Sequence, residues 1–158
     1  MGVAERFYEA FMVRDHYTMG RLYADIAAFS DPVFPALNAR GVRLMWQMLL
    51  SRAEDLGVEV NIREDTASRA SVDWVAQYTF SGTGRHVVNR VHTDMAISAG
   101  KIVRQVDSFS LWRWSEQALG TKGLLLGWTP MVKNRIRAQA ARSLREFARS
   151  TESSQEKR

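Results

Sequence analysis

The hydrophobic period of this chain changes from helical to alternating at Gly57, and that change restricts the folds open to it. Before Gly57 the apolar residues recur at helical spacing. After it they alternate with polar residues, the signature of strands with one buried face. Phe7 and Phe11, with Tyr8 and Met12, are spaced by four and predict a helix from about Val3 to Val13. Asp15 precedes a second short helix whose buried face is Met19, Leu22 and Tyr23. A third helix follows Gly41, with Val42, Met45, Trp46, Leu49, Leu50 and Ala53 on one broad face, and Gly57 stops it.

Val58, Val60 and Ile62 then alternate, as do Val72, Trp74, Ala76, Tyr78 and Phe80. The stretch Ser81–Arg85, "SGTGR", predicts a hairpin turn, followed by a strand from about His86 to Ile97. After a turn at Ser98–Lys101, the last strand is expected from Ile102 to about Trp114. Three helices followed by a strand meander predict an α+β fold, helices on one face of a mostly antiparallel sheet.

The remaining chain reads as an extension. Residues 120–130, "GTKGLLLGWTP", predict a loop whose apolar run is buried on its own domain or in a subunit interface. A basic helix is expected from about Pro130 to Arg149, and residues 150–158 are expected to be disordered. Lys133, Arg135, Arg137, Arg142, Arg145 and Arg149 in that helix account for the net charge of +5. Such a stripe either contacts an acidic partner or is a solvated helix face, and the expectation here is the latter, with neither nucleic acid nor membrane as partner.

At 158 residues the length suits one domain, and the absence of cysteine excludes disulfides, thiolate nucleophiles and zinc–thiolate sites. His16, His86 and His92 show no metal-ligand spacing, and no glycine-rich phosphate loop is present, so neither metal nor cofactor is expected. The charged N-terminal stretch "MGVAERFYEAF" does not read as a signal peptide, and no apolar run is long enough to span a bilayer. A cytoplasmic location is the expectation.

Two acids stand among hydrocarbon. Asp31, in "AAFSDPVF", follows Phe29 and precedes Pro32 and Val33. It either caps the turn around Pro32 or faces a pocket, where lost hydration would make it a stronger base. Asp107 shares an alternating row with Val103, Phe109 and Leu111. Arg90, His92 and Asp94 form a polar row opposite Val91, Met95 and Ile97, suited either to a wet pocket or to a solvated sheet face.

The segments "RFYEAFMVRD", "LYADIAAFSDPVF" and "SAGKIVRQVDSF", in this order of elements, resemble the nuclear transport factor 2-like superfamily, in its SnoaL-like and ketosteroid isomerase-like branch. The resemblance implies a cone-shaped domain over residues 1–118, a curved sheet wrapped around the N-terminal helices. Residues 119–149 would pack on it as loop and basic helix. It further implies a pocket at the wide end for a hydrophobic small molecule, and a homodimer through the convex face.

By the same resemblance, Asp31 occupies the place of the isomerases' general base. Tyr8 takes that of a hydrogen-bond donor to the enolate oxygen, and His92 that of a second donor. Asp107 matches the acid of the polyketide cyclases and epoxide hydrolases. Phe29, Trp46, Trp74, Tyr78, Arg90 and Phe109 are expected to line the pocket. The implied activity is an isomerase or cyclase reaction by proton transfer beside a carbonyl, the alternative being a binding or dimeric interaction protein without turnover. Epoxide hydrolysis is disfavoured, since Trp74, Ala76 and Tyr78 offer no Asp–Arg pair.

Overall fold

The computed structural model describes residues 1–126 and 129–157. Its element order is α1 (Val3–Met12), α2 (His16–Leu22), β1 (Tyr23–Ser30), β2 (Leu37–Asn38), α3 (Ala39–Arg52), β3 (Gly57–Asp65), β4 (Arg69–Phe80), β5 (Arg85–Ser98), β6 (Lys101–Ser108), α4 (Leu111–Leu119), α5 (Thr121–Leu126) and α6 (Pro130–Gln155). Among the described residues, six strands form one curved, unclosed sheet in the order β2-β1-β6-β5-β4-β3. Every neighbouring pair is antiparallel except β1 with β6. The α+β expectation holds, with α1 packed on β3 and β4 and α3 on β1.

Local chemistry explains the helix boundaries. Asp15 caps α2 by accepting from the Thr18 N–H at 2.9 Å, and Asn38 caps α3 by accepting from the Gly41 N–H at 2.9 Å. Helix α3 therefore begins two residues before Gly41 and ends at Arg52, short of Gly57. The core is aromatic. Phe11 packs against both Trp46 and Trp74, with ring centroids 5.1 and 5.2 Å apart.

The C-terminal third departs from the sequence expectation. The last strand ends at Ser108, and residues expected to continue it form α4 instead. Ser110 caps that helix at the Arg113 N–H, and its buried residues Leu111, Ser115 and Ala118 recur at helical spacing. Gly120, at φ 67°, ends it. The stretch expected as a loop contains α5. Of the run "LLLGW", expected to be buried, Leu125 is exposed, while Gly127, Trp128 and the side chains of Leu124 and Leu126 lie outside the described residues.

Helix α6 runs six residues beyond Arg149, across most of the stretch expected to be disordered, and an ion pair between Arg40 and Glu152 ties its far end to α3. Leu144 is its buried residue, with Ala140 and Phe147 packed beside it on the core. Among the described residues no helix is long and apolar enough to cross a membrane.

Candidate active site

Three structural layers meet around a cavity of about 230 Å³. Helices α1 and α3 contribute Phe11, Met45, Trp46 and Leu50, strand β4 contributes Trp74, Ala76 and Tyr78, and β5 contributes Asn89 and Val91. Phe109 and Trp114, from the chain after β6, complete the wall. The lining is mainly apolar, and two carboxyl groups are set into it, Asp31 and Asp107.

Asp31 lies one residue past the end of β1 and continues that strand's inward row of Ala27 and Phe29. Its Oδ1 accepts from the Val33 N–H at 2.7 Å and the Phe34 N–H at 2.5 Å, and its own N–H donates to the Phe34 carbonyl at 2.9 Å. Asp31 thus caps its own turn and also lines the cavity. Pro32 fits here because it presets the turn and has no N–H to place. Burial pushes the Asp31 carboxyl up to about 6, against the two N–H donors, which pull it down.

Asp107 reaches the cavity because of a bulge. Ile97 pairs with Ile102 and Ala96 with Arg104, leaving Val103 as an extra residue on β6. Before the bulge Ile102 is buried, and after it Gln105 and Asp107 are. The expected row of Val103, Asp107, Phe109 and Leu111 is thus interrupted at both ends, by the bulge and by the end of the strand. Asp107 Oδ1 accepts from Thr93 Oγ1 at 2.7 Å and from Gln105 Nε2 at 3.0 Å.

These bonds belong to a buried chain. The Trp74 indole N–H donates to Thr93 Oγ1 at 2.8 Å. On the other side Trp46 Nε1 donates to the Tyr23 hydroxyl at 2.9 Å, and Tyr23 donates to Gln105 Oε1 at 2.7 Å. Burial raises the Asp107 carboxyl to about 7. Its two donors oppose the rise, and the nearby charge of Asp31 adds to it. Neither Oδ2 of Asp31 nor Oδ2 of Asp107 takes a hydrogen bond from the described residues. Each acid is fastened by one oxygen and has the other uncommitted.

Thr93 is the hinge of this arrangement. Thr93→Val would leave the Trp74 N–H without its acceptor and take one donor from Asp107. The expected result is a loss of about 1–3 kcal/mol in chemical denaturation, with the Asp107 carboxyl titrating above its present value of about 7.

The other expected residues divide. Trp46, Trp74, Tyr78 and Phe109 line the cavity. Phe29 does not, being buried beneath it against Trp46 with centroids 6.3 Å apart. Tyr8 is buried beside Phe7 and Trp74 rather than on the cavity wall. Its hydroxyl has no hydrogen-bond partner among the described residues. Burial and the nearby Asp107 charge hold this phenol well above its ordinary range.

His92 and Arg90 are corrections. Strand β5 turns Val91, Thr93, Met95 and Ile97 inward, so its even-numbered residues take the outer face. There His92 Nδ1 lies 2.6 Å from Asp73 Oδ1, with Asp94 near its other nitrogen at 3.4 Å. The hydrogen bond to Asp73 raises its pKa. Arg90 is exposed on the same outer face. The inward position one residue along is Thr93, a polar group on an apolar row, the same signal that singles out Asp31 and Asp107. Gln105, Tyr23, Asn89 and Trp114 also belong to the site or its support and were not expected. Trp114 donates its indole N–H to the Tyr78 hydroxyl at 2.8 Å, closing the wall from α4.

Known proteins place this architecture. The SnoaL-like domain family matches residues 4–105. A protein of ketosteroid isomerase-like fold from Catenulispora acidiphila, solved with trimethylamine, superposes with a TM-score of 0.64 at 15% identity, covering 81% of this chain and 97% of its own. IdmH, a putative polyketide cyclase from Streptomyces antibioticus, gives 0.61 at 23% identity, covering 75% and 96%. An epoxide hydrolase of M. tuberculosis gives 0.55 at 19%, covering 78% and 90%. No curated protein matches the chain in sequence. The family match ends two residues before Asp107, so one of the two acids and the wall from Phe109 onward lie outside it. The family model matches more than half of the chain and the fold agrees with it, so the chain belongs to the SnoaL-like domain family, within the nuclear transport factor 2-like superfamily.

Proposed function

We propose that the cavity binds a compact, mainly apolar carbonyl compound and moves a proton at the carbon beside the carbonyl. The observation that carries this reading is the pair of carboxyl groups, Asp31 and Asp107, in one apolar cavity with their pKa values raised to about 6 and about 7. Near neutrality Asp31 is mostly ionised and more basic than an exposed carboxylate. Asp107 still holds its proton much of the time. Asp31 then takes the α-proton, the C–H electron pair moves into the enolate, and protonated Asp107 donates to the developing oxyanion. Returning the proton to the same or another carbon completes exchange or isomerisation. The cavity, at about 230 Å³, is smaller than the ~300–1,000 Å³ of pockets for drug-sized ligands, which favours a small substrate.

A panel of compounds tests this without the natural substrate in hand. Apolar ketones and enones are incubated with the protein in deuterated water, and loss of the α-proton signal is followed by NMR. Protein-dependent exchange is expected for at least one compound. Its rate should rise with pH as Asp31 ionises near 6 and fall as Asp107 loses its proton near 7, giving a narrow bell. The second reading, binding without turnover, draws support from the structural task Asp31 already performs in capping its own turn. Compounds that quench the pocket tryptophans yet show no exchange at any pH would favour it.

A further inference from the structure

Helix α6 lies wholly outside the region matched by the family, yet it touches the turn that carries Asp31. Arg137 donates from Nε to the Pro32 carbonyl at 2.9 Å, across 105 residues of chain. That carbonyl is in the Asp31–Phe34 turn but takes no part in the turn's own hydrogen bonds, which use the Asp31 N–H and carboxylate and the Phe34 N–H and carbonyl. A charged donor on a carbonyl is among the stronger hydrogen bonds available to a protein. Around it Val33, Phe34, Pro35 and Leu37 face Ala138, Ala141 and Leu144 of the helix across a shared groove. The helix is itself fixed, by Leu144 in the core and by the Arg40–Glu152 pair.

We propose that Arg137 is a positioning residue for Asp31, holding the Asp31–Phe34 turn from outside the cavity through the Pro32 carbonyl. The turn's internal bonds are local and its anchor in the core is the buried Phe34, which leaves the Pro32 backbone beside Asp31 to be held separately. Arg137 supplies that second attachment. In its absence the turn keeps its own bonds but moves away from the apolar wall, and water reaches the carboxylate. The reactive role of Asp31 rests on the preceding reading, while its placement is tested apart from it.

The experiment is a carboxyl-carbon NMR titration of protein labelled at aspartate, with the Asp31 signal assigned by its loss in Asp31→Asn. In the unaltered protein the Asp31 midpoint is expected near 6. In Arg137→Met it should fall toward 3.8 by about half a unit or more, because hydration relieves the main cause of the rise. Arg137→Lys should give a smaller fall. Arg142→Met, which removes an exposed cation from the same helix away from the groove, should give none.

Loss of a neighbouring positive charge alone would move the midpoint up, so positioning and simple electrostatics predict opposite signs. An unchanged or raised midpoint in Arg137→Met, with α6 still packed, overturns the proposal. If Arg137→Met releases α6, seen as lost helicity, Arg137→Lys decides: a midpoint below that of the unaltered protein supports the proposal and an equal one overturns it. Failure of proton exchange would leave this titration unaffected, and an unshifted titration would leave the exchange result standing.

Discussion

Asp31→Asn is expected to slow exchange of the substrate α-proton by about 100- to 10,000-fold, the usual contribution of a positioned general base. Ligand binding should change little. The amide oxygen of asparagine can still accept from the Val33 and Phe34 N–H groups, so the turn survives and only the proton acceptor is lost. The same substitution should remove the rising limb of the pH profile near 6, leaving whatever residual exchange Asp107 controls. Exchange that persists at the original rate in Asp31→Asn, with its rising limb intact, would remove Asp31 from the chemistry. A larger loss in Asp107→Asn, joined to a rising limb near 7 in the unaltered protein that this substitution removes, would transfer the role of base to that residue. Rate and profile together therefore answer which of the two acids takes the proton.

The two acids were legible in the sequence for one reason and placed in the site for others. Both interrupt apolar rows, and burying a carboxyl in such a row has an energetic cost that local pattern alone does not explain. Thr93 gives the same signal between Val91 and Met95, and alternation along β5 correctly opposes it to His92. The resemblance put His92 in the site against this alternation, and the strand's own period decided. Side chains in an unbroken strand have no freedom to change face.

Asp107 shows the limit of the same rule. Strict alternation from the buried Ile102 would place it on the outer face, and the bulge at Val103 reverses that. A bulge is a property of pairing between strands and leaves little trace in one strand's pattern. The extension is a further case. Leu111, Ser115 and Ala118 carry a readable helical period, but the alternation of the preceding strand runs into it without punctuation stronger than Ser110. Arg137 was legible only as one of six cations. Its contact with Pro32 arises from tertiary packing of a helix far away in the chain.

Asp107→Asn is expected to stabilise the protein at pH 8 by about 2 kcal/mol and to leave it nearly unchanged at pH 4. The sign follows from where the proton sits. The Asp107 carboxyl rises from 3.8 to about 7 on folding, so the folded state holds its proton more tightly than the unfolded chain. Stability from that source is fully present below pH 4 and is lost progressively as pH rises through about 7. The rise corresponds to about 4 kcal/mol as an upper bound, at about 1.4 kcal/mol per pH unit. Asparagine carries no charge to desolvate, and its oxygen can keep the bonds from Thr93 and Gln105, so most of this penalty disappears. Half the bound is a fair expectation, since an amide N–H₂ in place of Oδ2 must itself find an acceptor. Urea denaturation at pH 4, 6 and 8 would measure it, the gain growing with pH. A loss of stability at pH 8 would mean that the ionised carboxylate is well solvated by its surroundings, and Asp107 would then be a poor proton donor as well. A gain at pH 8 joined to lost exchange would show an acid kept at the expense of stability, as expected of a group retained for its reactivity.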